Sequence, residues 1–227
     1  MIDGLLYYHK IVRDSLTDGP GPRTVLFMQG CTVRCPGCQN RHLWERTGAT
    51  IESPHGVAQR LLETGQDITI SGGEPTDQGF ALFALVGELI RSPRKMHITI
   101  YTGRTLEALL ADRSMNARWA LAALLLADVI VDGQFEPGRD DDWLQWRGSR
   151  NQRPIDVKES LWAMFRDGGR LENLSAYIVL DPRWDRLTLA ITATGMLGPK
   201  GLIEQLTQEE GNARSINSPR CGSTIRE

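Results

Sequence analysis

Three of the chain's four cysteines, Cys31, Cys35 and Cys38, fall within eight residues. Thiolates separated by three and then two residues can converge on one soft metal centre, because so short a loop folds its sulfurs inward. Gly37 permits unusual backbone angles there, and Pro36 stiffens the loop while removing one backbone donor. A 4Fe-4S cube has four irons and normally takes four thiolates, so three leave one iron open to a substrate or cofactor. Such a set suits a reactive cluster better than a passive electron carrier. The competing chemistry is structural zinc with His42 as fourth ligand, since Cys35, Cys38 and His42 have passable zinc spacing.

The elements that must position these thiols read as strands alternating with helices. Residues 5–12 form a candidate first strand, and residues 18–23, rich in glycine and proline, a loop. Residues 24–28 are apolar nearly throughout, as in a strand covered on both faces, and run straight into the cysteine loop. Two helical stretches, about 40–46 and 54–64, lead to a strand at 67–70 that ends in Ser71-Gly72-Gly73-Glu74-Pro75. A helical pattern through Leu89, a strand at 97–101 ending in Thr102-Gly103, and a helix around 106–110 follow. A helix near 115–126 then precedes a strand at 128–131 that ends in Asp132-Gly133.

This alternation predicts an α/β fold with a parallel sheet. Ligands of such sheets collect at the carboxyl edge of the strands, so the cysteine loop, Gly72-Gly73-Glu74, Thr102-Gly103 and Asp132-Gly133 should face one crevice. Paired glycines let main-chain carbonyls approach a ligand, and the Glu74 carboxylate suits an ammonium group. The bland reading of Glu74 is an acid near a helix N-terminus, where its charge is favoured anyway.

Composition narrows the classes. A chain of 227 residues can bury a real core as one domain with an appendage. With 26 basic and 28 acidic side chains, the formal charge of -2 gives no electrostatic case for nucleic acid or an anionic membrane. Three clustered cysteines and a distant Cys221 do not form a disulfide framework, and free thiols suit a reducing cytosol. The N-terminus lacks the basic and apolar regions of a signal peptide, and the apolar run at 119–127 is too short to span a bilayer. A cytoplasmic protein is expected.

Beyond Asp132 the acidic run Asp140-Asp141-Asp142 reads as a solvated turn. Residues 143–152 combine two tryptophans and two arginines with neutral hydrogen-bonding side chains, which suits either a crevice lining or an exposed polar loop. A helix is expected around 156–166, then a hairpin from the β-prone stretches 173–180 and 186–192, a short helix at 200–208, and a mobile polar tail from Gly211. Cys221 reads as an unpaired tail thiol.

The spacing Cys-x3-Cys-x2-Cys resembles the signature of the radical S-adenosylmethionine enzymes. Asp18-Gly19-Pro20-Gly21, Cys35-Pro36-Gly37-Cys38-Gln39-Asn40, Ser71-Gly72-Gly73-Glu74-Pro75, Tyr101-Thr102-Gly103, Asp132-Gly133 and Trp146-Arg147-Gly148-Ser149-x-Asn151-Gln152 narrow the likeness. Together, over roughly residues 5–165, they are similar to the family of activating proteins of anaerobic ribonucleoside-triphosphate reductase.

The resemblance implies an oxidoreductase in which Cys31, Cys35 and Cys38 bind a 4Fe-4S cluster. Gly72, Gly73 and Glu74 would hold the methionyl amino group of S-adenosylmethionine, with Thr102 and Asp132 near the rest of that cofactor. It implies reductive cleavage to a 5'-deoxyadenosyl radical, which takes a hydrogen atom from a glycine of a partner enzyme. No catalytic side chain is implied beyond cluster and cofactor. A low-potential donor such as flavodoxin or ferredoxin would supply the electron. The fold expected is a partial (β/α) barrel, an open curved parallel sheet with helices outside. Its core would occupy residues 1–168, with a hairpin and helix at 169–210 and a tail at 211–227. The extra C-terminal length keeps a second reading open, a radical enzyme acting on a peptide or small molecule.

Overall fold

A computed structural model describes residues 4–139 and 144–181. Its frame is one open mixed sheet of eight strands in the order β3-β1-β2-β4-β5-β6-β7-β8. The strands are β1 (Leu6–Ser15), β2 (Arg23–Met28), β3 (Thr50–Glu52), β4 (Asp67–Gly72), β5 (Ile98–Thr102), β6 (Val129–Asp132), β7 (Arg153–Asp156) and β8 (Val179–Leu180). The helices are α1 (Pro54–Leu62), α2 (Gly79–Arg91), α3 (Leu106–Ala111), α4 (Met115–Leu124) and α5 (Val157–Arg166). Local chemistry sets their starts: the side chains of Ser53, Thr105, Ser114 and Asp156 each accept a backbone N–H from the first turn of α1, α3, α4 and α5 respectively.

The four central strands are parallel, with Met28 opposite Gly72, Ile70 opposite Ile100 and Thr102 opposite Asp132. Their carboxyl ends therefore lie along one edge, as the sequence predicts. The expectation of a wholly parallel sheet needs correcting, because β1, β3, β7 and β8 pair antiparallel on the two flanks. For β1 and β2 the reason is length: seven residues link them, too few for the crossover that parallel pairing demands.

Two local expectations also change. The helix expected at 40–46 is a single 3-10 turn, Arg41–Leu43, followed by the short edge strand β3. The strand expected at 173–180 is mostly a 3-10 segment, Leu171–Tyr177, anchored by buried Leu174, and only Val179–Leu180 joins the sheet. Gly168 takes a left-handed φ of 68° at the end of α5 and the Gly169 N–H donates to the Met164 carbonyl, so the chain folds back against α5. The other half of that hairpin, the helix at 200–208, the tail, Cys221, the acidic run and Trp143 lie outside the described residues.

Alternation along the parallel strands sends Leu26, Met28, Ile68, Ile70, Ile100 and Ile130 into one core with Leu61, Leu82, Leu85, Leu89 and Leu124 of the helices. The opposite face carries Arg23, Val25, Thr69, Thr99, Val129 and Val131. Loops rather than helices cover it, with Tyr101 and Trp146 packing on Val129 and Val131. Arg23, 1% exposed, donates to the Thr69 and Thr99 hydroxyls and to the Ile68 carbonyl. A buried cation so fully bonded ties β2 to β4 and β5 on the side away from the helices.

Candidate metal and cofactor site

The cysteine loop leaves β2 through Gln29 and Gly30 and is pinned at once. The Gly30 and Cys31 N–H groups donate to the Leu43 and Trp44 carbonyls, at 2.8 and 2.9 Å. Gln29, 3% exposed, gives its side-chain amide to the Glu45 and Thr47 carbonyls. The loop then reverses at Arg34 and Gly37, with left-handed φ of 49° and 74°. A Cβ on Gly37 would stand 2.9 Å from Pro137, so glycine is required for space as well as angle.

The glycines of β4 explain how two loops share this edge. An ideal Cβ on Gly73 would fall 2.3 Å from the Gly30 carbonyl oxygen, and one on Gly72 2.6 Å from the Met28 backbone. The Gly73 and Glu74 N–H groups donate to the carbonyls of Met28 and Gly30. The paired glycines therefore seat the root of the cysteine loop against the next strand.

Glu74 is brought to the cavity wall but is only 1% exposed. One carboxylate oxygen accepts from the Thr76 N–H, the Thr76 hydroxyl and the Thr102 hydroxyl, and the other accepts from the Gly103 N–H. Burial pushes its pKa up, and these donors pull it back. The carboxylate thus joins the ends of β4 and β5, and the Gly103-bonded oxygen keeps acceptor capacity beyond that single bond. Thr102, 3% exposed, is held between Glu74 and the Arg104 N–H.

Asp132 is fully buried at the end of β6, where it accepts from the Leu106 N–H at the start of α3 and pairs with Arg153. Arg153 also holds Glu107, and these partners push its own pKa far up. Asp132 thus anchors the frame beneath Gly133, and Gly133 rather than Asp132 lines the cavities.

Cys31, Cys35 and Cys38 line one cavity of about 230 Å³ with Gly72, Gly73, Glu74 and Thr102. A second, of about 700 Å³, shares Val33, Gly103 and Gly133 with it and reaches Arg104 and Asn151. All three cysteines are free thiols. Burial pushes the Cys31 and Cys35 thiols up, and backbone N–H groups pull them back, from Arg34 and Val33 at Cys31 and from Phe135 at Cys35. The Asn40 N–H donates to the Cys38 sulfur at 3.3 Å.

Three soft sulfurs supplied with N–H donors around one shared cavity fit an iron–sulfur cluster. His42 stands apart, its ring packed edge-on against His9 with centroids 5.3 Å apart. Among the described residues no three His, Cys, Asp or Glu side chains gather as ligands of a single ion.

Sequence reasoning missed the clamp on this loop. The Asp77 carboxylate, on the 3-10 turn Pro75–Gln78, accepts from the Thr32 N–H and hydroxyl at 2.7 and 2.8 Å and from Arg104 at 2.8 Å. Its one signal was position, three residues past Glu74. The segment at 146–152 is a folded wall. The Tyr101 hydroxyl donates to the Trp146 carbonyl, the Trp146 indole N–H donates to the Leu16 carbonyl, and Gln152 accepts from the Gly148 and Ser149 N–H groups. Gly148 and Gln152 face the cysteine cavity.

Residues 17–155 match the family described as 4Fe-4S single cluster domain. An anaerobic ribonucleoside-triphosphate reductase-activating protein of Salmonella typhi is 32% identical over 153 residues, covering 64% of this chain and 95% of that protein. Its namesake from Enterobacteria phage T4 is 33% identical over 162 residues, covering 68% of this chain and 97% of that protein. Among solved structures, QueE from Escherichia coli is similar at 18% identity and a TM-score of 0.40, covering 56% of this chain and 71% of that one.

Proposed function

This chain belongs to the family of anaerobic ribonucleoside-triphosphate reductase-activating proteins and carries a 4Fe-4S single cluster domain, and on that premise we propose that it is a radical S-adenosylmethionine enzyme that installs a glycyl radical on such a reductase. The observation that carries this reading is the convergence of Cys31, Cys35 and Cys38 with Gly72, Gly73, Glu74 and Thr102 on one cavity at the carboxyl edge of the parallel strands. When bound, the cluster and S-adenosylmethionine supply a one-electron cleavage that yields a 5'-deoxyadenosyl radical able to take a hydrogen atom from glycine.

The chain's own groups bind, orient and exclude water. Cys31, Cys35 and Cys38 would hold the cluster through three thiolates, a set one short of the usual four. The Gly72-Gly73-Glu74 turn offers the remaining acceptor capacity of Glu74 to the methionyl ammonium, beside Thr102. Asp132 and Arg153 keep Gly133 in place at the mouth of the larger cavity. The wall from Trp146 to Gln152 shields the cysteine side from solvent, while the larger cavity gives a partner's loop a way in. The open sheet is, in this reading, a partial barrel with its core in residues 1–168. The electron for the cluster would come from a low-potential donor such as flavodoxin or ferredoxin. No helix among the described residues is long and apolar enough to cross a membrane.

The test is anaerobic cluster reconstitution, reduction with S-adenosylmethionine present, and chromatography for 5'-deoxyadenosine. Product that disappears in Cys35→Ala is the expected result. A full, reducible cluster that neither binds S-adenosylmethionine nor cleaves it, with or without the reductase, would overturn the reading.

A further inference from the structure

Trp44 follows the 3-10 turn Arg41–Leu43 and faces the cavity lined by Cys31, Cys35 and Cys38. Its carbonyl takes the Cys31 N–H at 2.9 Å, so its backbone is fixed to the first ligand. Two cations stand over its ring, the Arg34 and Arg41 guanidinium carbons each 5.8 Å from the ring centroid. Arg34 is itself held by Glu45 at 2.5 Å. The indole N–H of Trp44 is buried and meets no hydrogen-bond acceptor among the described residues. A buried indole donor nearly always finds a partner, because leaving it unpaired forfeits the hydrogen bond it makes to water. The acceptors this cavity is built to receive are the sulfurs of a cluster.

We propose that Trp44 donates its indole N–H to a cluster sulfur and thereby raises the cluster's reduction potential. It is a positioning residue, acting on the potential rather than on the reacting atoms. A donor to sulfur stabilises the more negative, reduced cluster more than the oxidised one, and the flanking guanidinium groups act in the same direction. The inference rests on the cluster assignment above and not on S-adenosylmethionine cleavage.

The experiment is a mediated potentiometric titration of the reconstituted full chain, followed by electron paramagnetic resonance, in the native protein, Trp44→Phe and Trp44→His. Trp44→Phe keeps the ring and loses the donor. It should keep full iron and sulfide and show about a tenfold lower reduced-to-oxidised ratio at fixed potential, equivalent to about 59 mV for one electron. Trp44→His, which restores a ring N–H, should recover part of that loss. Equal potentials in native protein and Trp44→Phe, each with full iron, would overturn the proposal and leave the cluster assignment standing. A native chain that assembles no cluster would overturn both. Should either variant fail to fold, electron–nuclear double resonance on the reduced native protein with 15N-indole tryptophan decides. Hyperfine coupling to an indole nitrogen is expected, and its absence counts against the proposal. The Trp146 indole N–H is already given to the Leu16 carbonyl, so it does not compete for this role.

Discussion

Replacing Gly73 with alanine should detach the cysteine loop from the sheet without unfolding the protein. An alanine Cβ there would sit 2.3 Å from the Gly30 carbonyl oxygen, whereas a carbon approaches such an oxygen to about 3.3 Å, so the loop root must retreat by about 1 Å. That retreat breaks the 2.8 Å hydrogen bond from the Glu74 N–H to the Gly30 carbonyl. Loss of one buried hydrogen bond costs about 1 kcal/mol and overpacking about 1–3 kcal/mol, giving about 2–4 kcal/mol in total. For a chain of this size that corresponds to a fall in Tm of roughly 5–15 °C in the metal-free protein. The assay pairs thermal unfolding of that protein with iron content per chain after anaerobic reconstitution, and Gly73→Ala should lose both stability and iron. Gly48→Ala is the control: Gly48 has a left-handed φ of 78° but no atom within 4 Å of its would-be Cβ, so strain alone should lower Tm modestly and leave iron content intact. Native iron content and Tm in Gly73→Ala would refute the close-approach argument.

Asp77→Asn should weaken the clamp on Thr32 and Arg104 and speed iron loss to a chelator severalfold, with a stability cost of about 1–3 kcal/mol; an unchanged rate would show that the clamp does not hold the loop. Tyr101→Phe should cost about 1 kcal/mol and raise hydrogen exchange across residues 146–152, because the hydroxyl tethers the Trp146 carbonyl. The Arg153 guanidinium holds the Glu107 carboxyl below its usual 4.5, so the pair's contribution is present above that pH and lost as pH falls through the folded value. The stability gap between native protein and Glu107→Gln should therefore narrow on acidification below about pH 4.5, and a gap that stays constant would contradict the pairing.

The parallel centre of the sheet was legible because each of its strands is a largely apolar, β-prone run that leads into a glycine-bearing loop. β3 and β7 were not, since three residues are too few to show a period in β3 and Pro154 argues against a strand in β7, while β8 is the two-residue remnant of the strand expected at 173–180. The cysteine triplet and the Gly72-Gly73-Glu74 turn could be read because their chemistry is local in the chain. Asp77 with Arg104, and Asp132 with Arg153, are pairs made by folding across 27 and 21 residues, and the sequence shows neither pairing. The glycines and Glu74 also have a packing task that composition does not show, since they seat the root of the cysteine loop against β4.

The most direct test of the activase assignment mixes the anaerobically reconstituted chain with S-adenosylmethionine, a reductant and an anaerobic ribonucleoside-triphosphate reductase, and reads the electron paramagnetic resonance spectrum of the mixture. A glycine-centred doublet that requires S-adenosylmethionine and is absent with Cys35→Ala is the result predicted. No doublet on any such reductase, from a chain whose cluster is complete and reducible, would contradict it.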